Sequence, residues 1–134
     1  MTKEELDKYV ESIGGLINDW YPDRKPIMHC PCSIGEGWYE HIHNLMVELI
    51  KAGWNKEIKQ IKEKFGGLRF YIGSGNKKIW EIITKYETLS YTICEKCGEP
   101  GELRKDAGNY GGWWKTLCDR HYNEIKEIQK KNER

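Results

Sequence analysis

The sequence predicts an α+β fold: a single small domain of helices packed on a β-hairpin, with a compact, ligand-rich module at its C-terminal end. Three observations carry this. Apolar residues recur at helical spacing over three stretches of the first ninety residues. One stretch instead alternates with period two around a Gly-Gly pair. Finally, Cys94-Glu95-Lys96-Cys97-Gly98 is followed by Cys118-Asp119-Arg120-His121, so two pairs of soft metal ligands share one spacing. The division expected is a helical and hairpin core over 1–93 and a module over 94–134 packed on it.

Chain length and composition set the outer limits. At 134 residues the chain suits one domain with a modest core. Charged residues make up 32% and hydrophobic ones 38%, which places it among globular rather than disordered chains. No apolar run approaches the roughly 18–20 residues that span a bilayer, and residues 1–10 lack the apolar core of a signal peptide. The expectation is a cytoplasmic protein with no membrane partner, where a Cys-x-x-Cys pair reads as metal-binding. A net charge of +1 argues against tight, sequence-independent duplex binding, which leaves a strongly basic footprint.

From the N-terminus, Thr2 and Glu5 form a capping box. Leu6, Tyr9, Val10, Ile13, Leu16, Ile17 and Trp20 then predict a helix over roughly 3–20, weakened at Gly14-Gly15 and ended by Pro22 and Pro26. Next come His29, Cys30 and Cys32, with His41 and His43 close behind: five potential ligands in fifteen residues. Cys-Pro-Cys is a poor chelating turn, and two histidines two apart on a helix face different ways. A second metal there is the lesser reading, and the greater one is small buried thiols with exposed histidines. Trp38, Ile42, Leu45, Met46, Leu49 and Ile50 make one apolar stripe of a second helix that Gly53 stops.

Residues 59–73 predict the hairpin, with Gly66-Gly67 as its two-residue turn. That register opposes Phe65 to Leu68, Lys64 to Arg69, Glu63 to Phe70 and Lys62 to Tyr71. Phe65, Leu68, Phe70 and Ile72 are then expected in the core. The other face carries Lys62, Lys64, Arg69 and Tyr71, three cations around one ring. Like charges opposed across strands are unfavourable, so they are either solvated or used on an anion. Gly73-Ser74-Gly75-Asn76 is a loop without the P-loop pattern, and Asn76 caps a third helix over 77–90 with Ile79, Ile82, Ile83, Tyr86 and Leu89 inward.

In the last third, Cys94-x-x-Cys97-Gly98 forms a tight knuckle. Residues 102–105 and 112–117 can pair as short strands around a loop at 106–111. Cys118 and His121 then lie on one face of the first turn of a helix continuing through Tyr122, Ile125 and Ile128. Knuckle, hairpin and helix-borne pair is the order of a treble-clef-like module. Cys94, Cys97, Cys118 and His121 are the predicted ligands of one structural Zn2+. The basic end at 126–134 reads as a solvated helix terminus with cations near the negative end of its dipole.

Four motifs together resemble a known family: Ile-Lys-Glu-Lys-Phe-Gly-Gly-Leu-Arg-Phe-Tyr (61–71), Gly-x-Gly-Trp (35–38), Cys-Glu-x-Cys-Gly-x-Pro-Gly (94–101) and Trp-x-x-Thr-Leu-Cys-x-x-His (113–121). The family consists of small, mostly uncharacterised proteins encoded by phages, prophages and their bacterial hosts. The resemblance spans residues ~32–121 and leaves out His29, Cys30 and the Asn109-Tyr110 pair. It implies a phage-type accessory protein in the bacterial host cytoplasm, strengthens the zinc assignment and supplies no activity.

On chemistry, four protein ligands leave no position on the metal for water. An HNH-like nuclease needs a His on the hairpin, and residues 98–117 contain none. No Ser/His/Asp or Cys/His set is apparent. The function expected is therefore non-enzymatic binding of a phosphate-bearing ligand, a nucleotide or nucleotide signal by analogy with phage counter-defence proteins. Lys62, Lys64, Arg69 and Tyr71, extended by Trp113 and Trp114, are the candidate ligand-binding residues. The alternatives are a nucleic-acid-binding or transcription-adaptor protein, a protein–protein interaction module and a divergent HNH-like nuclease. Homo-oligomerisation stays open.

Overall fold

A computed structural model describes residues 1–17, 25–26, 32–108 and 112–132. Helix α1 (Lys3–Ser12) starts at the expected capping box: Thr2 Oγ1 accepts from Glu5 N at 3.1 Å and Glu5 Oε1 from Thr2 N at 3.2 Å. It ends eight residues earlier than the apolar spacing predicts. Gly14, at φ +73°, turns the chain, and the amides of Gly14 and Gly15 cap the last carbonyls of Glu11 and Val10. Leu16–Ile17 is then strand β1, antiparallel to β2 (Lys25–Pro26) and parallel to β4 (Glu57–Ile58). Trp20 lies outside the described residues.

Helix α2 (Tyr39–Lys51) follows a short 3-10 turn at Glu36–Trp38 and is the centre of the core. Its buried face is Ile42, Leu45, Met46 and Leu49, with Trp38 buried at its head, as the stripe predicts. It packs between α1 and α3 (Lys77–Leu89), which Asn76 caps through an Oδ1 that accepts from Ile79 N at 2.9 Å.

The hairpin is β5 (Gln60–Lys64) and β6 (Gly67–Tyr71), with β3 (Cys32–Ser33) running parallel on the outer side of β5. Its register differs from the prediction by two residues on the first strand, so each side chain keeps its face. Gly67 pairs with Lys64, Arg69 with Lys62, and Phe70 with Ile61. The turn residues are Phe65 and Gly66, at φ +52° and +81°, the primed turn that suits strand twist. Phe65 is therefore at the tip and 63% exposed, not in the core, while Leu68, Phe70 and Ile72 are buried as expected. Gly67 lies in β6, and its lack of a side chain has another reason: a Cβ there would lie 2.4 Å from the Tyr91 ring.

The outward amides of β6 do not meet another strand. Leu68 N donates to Ser90 Oγ and Phe70 N to Glu87 Oε2, both at 2.9 Å.

The C-terminal module consists of the 94–98 knuckle, a hairpin of β7 (Glu102–Arg104) and β8 (Lys115–Leu117), and helix α4 (Asp119–Asn132). Two glycine-rich motifs of the core hold it. Gly35 N donates to Glu95 Oε2 (2.8 Å), Gly37 N to Glu95 O (2.7 Å), and Trp38 Nε1 to Ile93 O (2.8 Å). A Cβ on Gly37 would come within 2.2 Å of Cys94 O, so only glycine allows this approach. On the other side Thr116 Oγ1 donates to Gly66 O. No helix among the described residues is long and apolar enough to cross a membrane.

Candidate metal centre and the adjoining cleft

The knuckle presents Cys94 and Cys97 because the Gly98 amide closes the turn on Cys94 O at 2.9 Å and Gly98 takes φ +80°. Cys118 directly follows β8, and His121 stands one helical turn on in α4. The four ligand atoms all lie within 4.8 Å of one another. Cys97 and Cys118 sulfurs are 3.7 Å apart, and His121 Nδ1 is 3.5 Å from Cys94 Sγ and 3.2 Å from Cys118 Sγ. A tetrahedral ion with metal–S and metal–N distances of about 2.3 and 2.0 Å requires ligand edges of about 3.8 and 3.5 Å. The group could thus hold a metal ion with little rearrangement. Burial pushes the Cys97 thiol above its ordinary pKa, whereas the backbone N–H of His121 draws Cys118 below it.

The second ligand set is not brought together where it is described. His41 is buried, contrary to the exposed histidines expected, and its Nε2–H donates to Tyr86 O on α3 at 2.7 Å. His43 is half-buried and meets the Tyr9 ring on α1, 4.4 Å between centroids. They face different helices, as their spacing implies. His29 and Cys30 lie outside the described residues, as does the side chain of Cys32.

Beside the metal group a cleft of about 780 Å³ opens between the β5–β6 hairpin and the loop leading into β8. Glu63, Lys64, Phe65 and Arg69 line one side, Gly112, Trp113 and Trp114 the other, with Tyr91 between them. The Phe65 and Trp114 rings meet edge-on, 5.9 Å between centroids. Lys64 Nζ lies over Phe65 and Lys105 Nζ over Trp114, at 5.9 and 4.7 Å from the ring centroids. Arg69 donates from Nη1 to Leu68 O at 2.9 Å, and its Nη2 lies 3.5 Å from Tyr91 Oη. Burial works against its charge, yet the Tyr91 hydroxyl and the Glu87 carboxylate hold its pKa above the ordinary guanidinium value.

Four of the six predicted ligand-binding residues, Lys64, Arg69, Trp113 and Trp114, therefore meet in one cleft. Lys62 and Tyr71 share the same sheet face but lie beyond it, with Lys62 Nζ 5.4 Å from the Tyr71 centroid. The cation over Tyr71 is Lys62, while Arg69 turns toward Tyr91. Comparison with protein-family models, with curated proteins and with solved structures gives no match. Sequence reasoning missed Glu63, Phe65, Tyr91 and Lys105. Phe65 was recoverable from the alternative turn at Phe65-Gly66; Tyr91 carries no local signal, because its role is set by Gly67 lying beneath it.

The far wall is fixed by α4. Tyr122 Oη donates to both Asp106 carboxylate oxygens at 3.0 Å, and Lys126 ion-pairs with the same group. Gln129 Nε2 donates to the carbonyls of Asp106 and Gly108 at 2.6 and 2.7 Å. Ala107 N in turn donates to Trp113 O at 2.8 Å. The helix that supplies His121 thus also braces the segment before the two tryptophans.

Proposed function

We propose that this protein is a zinc-stapled, non-enzymatic binding protein whose cleft takes a phosphate-bearing aromatic ligand, a nucleotide. The observation that supports this reading is the meeting of Arg69 and Lys64 with Trp113, Trp114 and Phe65 in one cleft. Aromatic faces stack bases whatever their sequence, and a guanidinium grips phosphate through paired hydrogen bonds. On a chain of net charge +1 this positive field is local. Three thiolates and one imidazole at tetrahedral spacing favour zinc over harder cations. The phage-type role drawn from the motif resemblance, capture of a nucleotide signal in a bacterial cytoplasm, belongs to the same reading.

A test is calorimetric titration of nucleoside monophosphates and single-stranded oligonucleotides into wild type and Arg69→Ala at two salt concentrations. A nucleotide site gives affinity that survives moderate salt and drops at least about tenfold in the variant. Strand binding instead weakens steeply as salt rises. Equal binding of every ligand by both proteins would leave the face as solvated surface.

A further inference from the structure

We infer that Glu63 makes the cleft selective for a guanine base, an inference that rests on the nucleotide reading above. Among the described lining residues Glu63 is the one carboxylate of a cleft that otherwise offers cations and rings. No Lys or Arg of the described residues ion-pairs with it, although Lys62 and Lys64 flank it in sequence. Glu63 Oε1 accepts from Gly66 N at 2.5 Å, which fixes the carboxylate at the hairpin tip beside Phe65. An anionic acceptor repels the phosphate, so phosphate belongs with Arg69 and Lys64, and the carboxylate is left for the base.

The chemistry of base edges then decides which base. Aromatic stacking discriminates little among them. Guanine presents N1–H and the 2-amino group side by side, two parallel donors that match two carboxylate oxygens. Adenine and cytosine each set a ring-nitrogen acceptor next to their amino group. Uracil and thymine flank N3–H with two carbonyl oxygens. Only guanine meets Glu63 without opposing an acceptor to it. A site built to accept hydrogen bonds discriminates strongly against ligands that cannot donate them.

Glu63 Oε1 also caps the turn, so the test must separate the two roles. Glu63→Gln retains an oxygen for Gly66 N–H but replaces the other acceptor with a donor. GMP, IMP, AMP, CMP and UMP are titrated into wild type and the variant, with thermal melts of both. The expected result is GMP bound at least about tenfold tighter than AMP, CMP or UMP. IMP, lacking the 2-amino group, falls between. In Glu63→Gln the GMP preference disappears, while AMP affinity and the melting temperature hold. A hexathymidylate strand carrying one central dG, titrated at low and moderate salt, tells a free guanine nucleotide from guanine within a strand. Equal affinity for the nucleotides in wild type overturns the inference and leaves the nucleotide reading standing. Loss of all binding together with a lowered melting temperature in the variant reduces Glu63 to a turn cap. Binding of none of these ligands by wild type removes the nucleotide reading, and the inference with it.

Discussion

Thr116 Oγ1 donates to Gly66 O at 2.7 Å, joining the strand that precedes Cys118 to the tip of the core hairpin across fifty positions of sequence. Thr116 is fully buried, so the bond is not exchanged with water. A Cβ on Gly66 would stand 2.5 Å from Leu103 and 3.2 Å from Lys115 N, which shows how closely the two hairpins approach. The bond holds together the two sides of the cleft.

Replacing Thr116 with Val keeps the shape and leaves Gly66 O unpaired. Losing one partner of a buried hydrogen bond costs about 1–3 kcal/mol. Chemical denaturation should show that loss, and quenching of Trp113 and Trp114 by iodide should rise as the wall loosens. An unchanged midpoint would mean that the joint is redundant.

The metal prediction is one equivalent of zinc per chain, lost in Cys118→Ser. The module's own buried cluster is Cys94, Ala107, Leu117 and Ile125, too little apolar surface to fold unaided. Chelation or the variant should melt residues 94–132 and, if the proposed nucleotide site is right, abolish binding there, since Trp113 and Trp114 belong to this module. Elemental analysis finding under about half an equivalent of any transition metal in a folded protein would contradict this.

Gly37→Ala drives a methyl group into Cys94 O and Cys97 N. Backbone cannot yield as a flexible side chain does, so the cost should reach about 1–3 kcal/mol or more, with weaker metal retention. Competition with a chromogenic chelator measures the latter.

Phe70→Ala should cost about 3–5 kcal/mol, because its ring is buried against Trp54, 6.0 Å between centroids. Phe65→Ala, at the exposed tip, should stay within about 0.5 kcal/mol while weakening ligand binding. Denaturation curves for the pair check the observed hairpin register directly.

His41 gives a pH dependence of stability. Burial lowers its pKa below the usual value of 6.5, more than the Tyr86 carbonyl raises it. The unfolded chain therefore binds the proton more readily, and stability contributed by neutral His41 is complete above the unfolded pKa. It is lost as pH falls from about 6.5 toward the lower folded value. In His41→Gln, whose amide can still donate to Tyr86 O, this part of the pH dependence should flatten. Denaturation midpoints at pH 7.5 and 5.5 for both proteins provide the comparison.

Much of the architecture was legible because its signals are local. The Thr2–Glu5 box, the α2 stripe, the Asn76 cap and the four metal ligands each declare themselves within a few residues. The hairpin register did not, because Phe65-Gly66 and Gly66-Gly67 are both plausible turns. Glu63 occupies an inward-type position in either case, so alternation could not choose. The end of α1 was misplaced because Ile13, Leu16 and Ile17 keep helical spacing beyond the point where Gly14 has already turned the chain. Least legible were the roles of Gly35, Gly37 and Gly67. A sequence shows that a Cβ is missing but not which carbonyl or ring occupies its place.

The two side chains on the outer edge of β6 have a consequence for how this protein behaves at high concentration. Six tryptophans and eight tyrosines make the chain rich in β-forming residues, and an open strand edge would let one molecule template the next. Glu87 and Ser90 already occupy the Phe70 and Leu68 amides that a neighbouring strand would need. Helix α3 and the Ser90 that caps it thus terminate the sheet with a carboxylate and a hydroxyl where a fourth strand would otherwise stand. Polymerisation along β6 must first pull both away, so a crowded solution of this aromatic-rich protein can remain monodisperse along that edge.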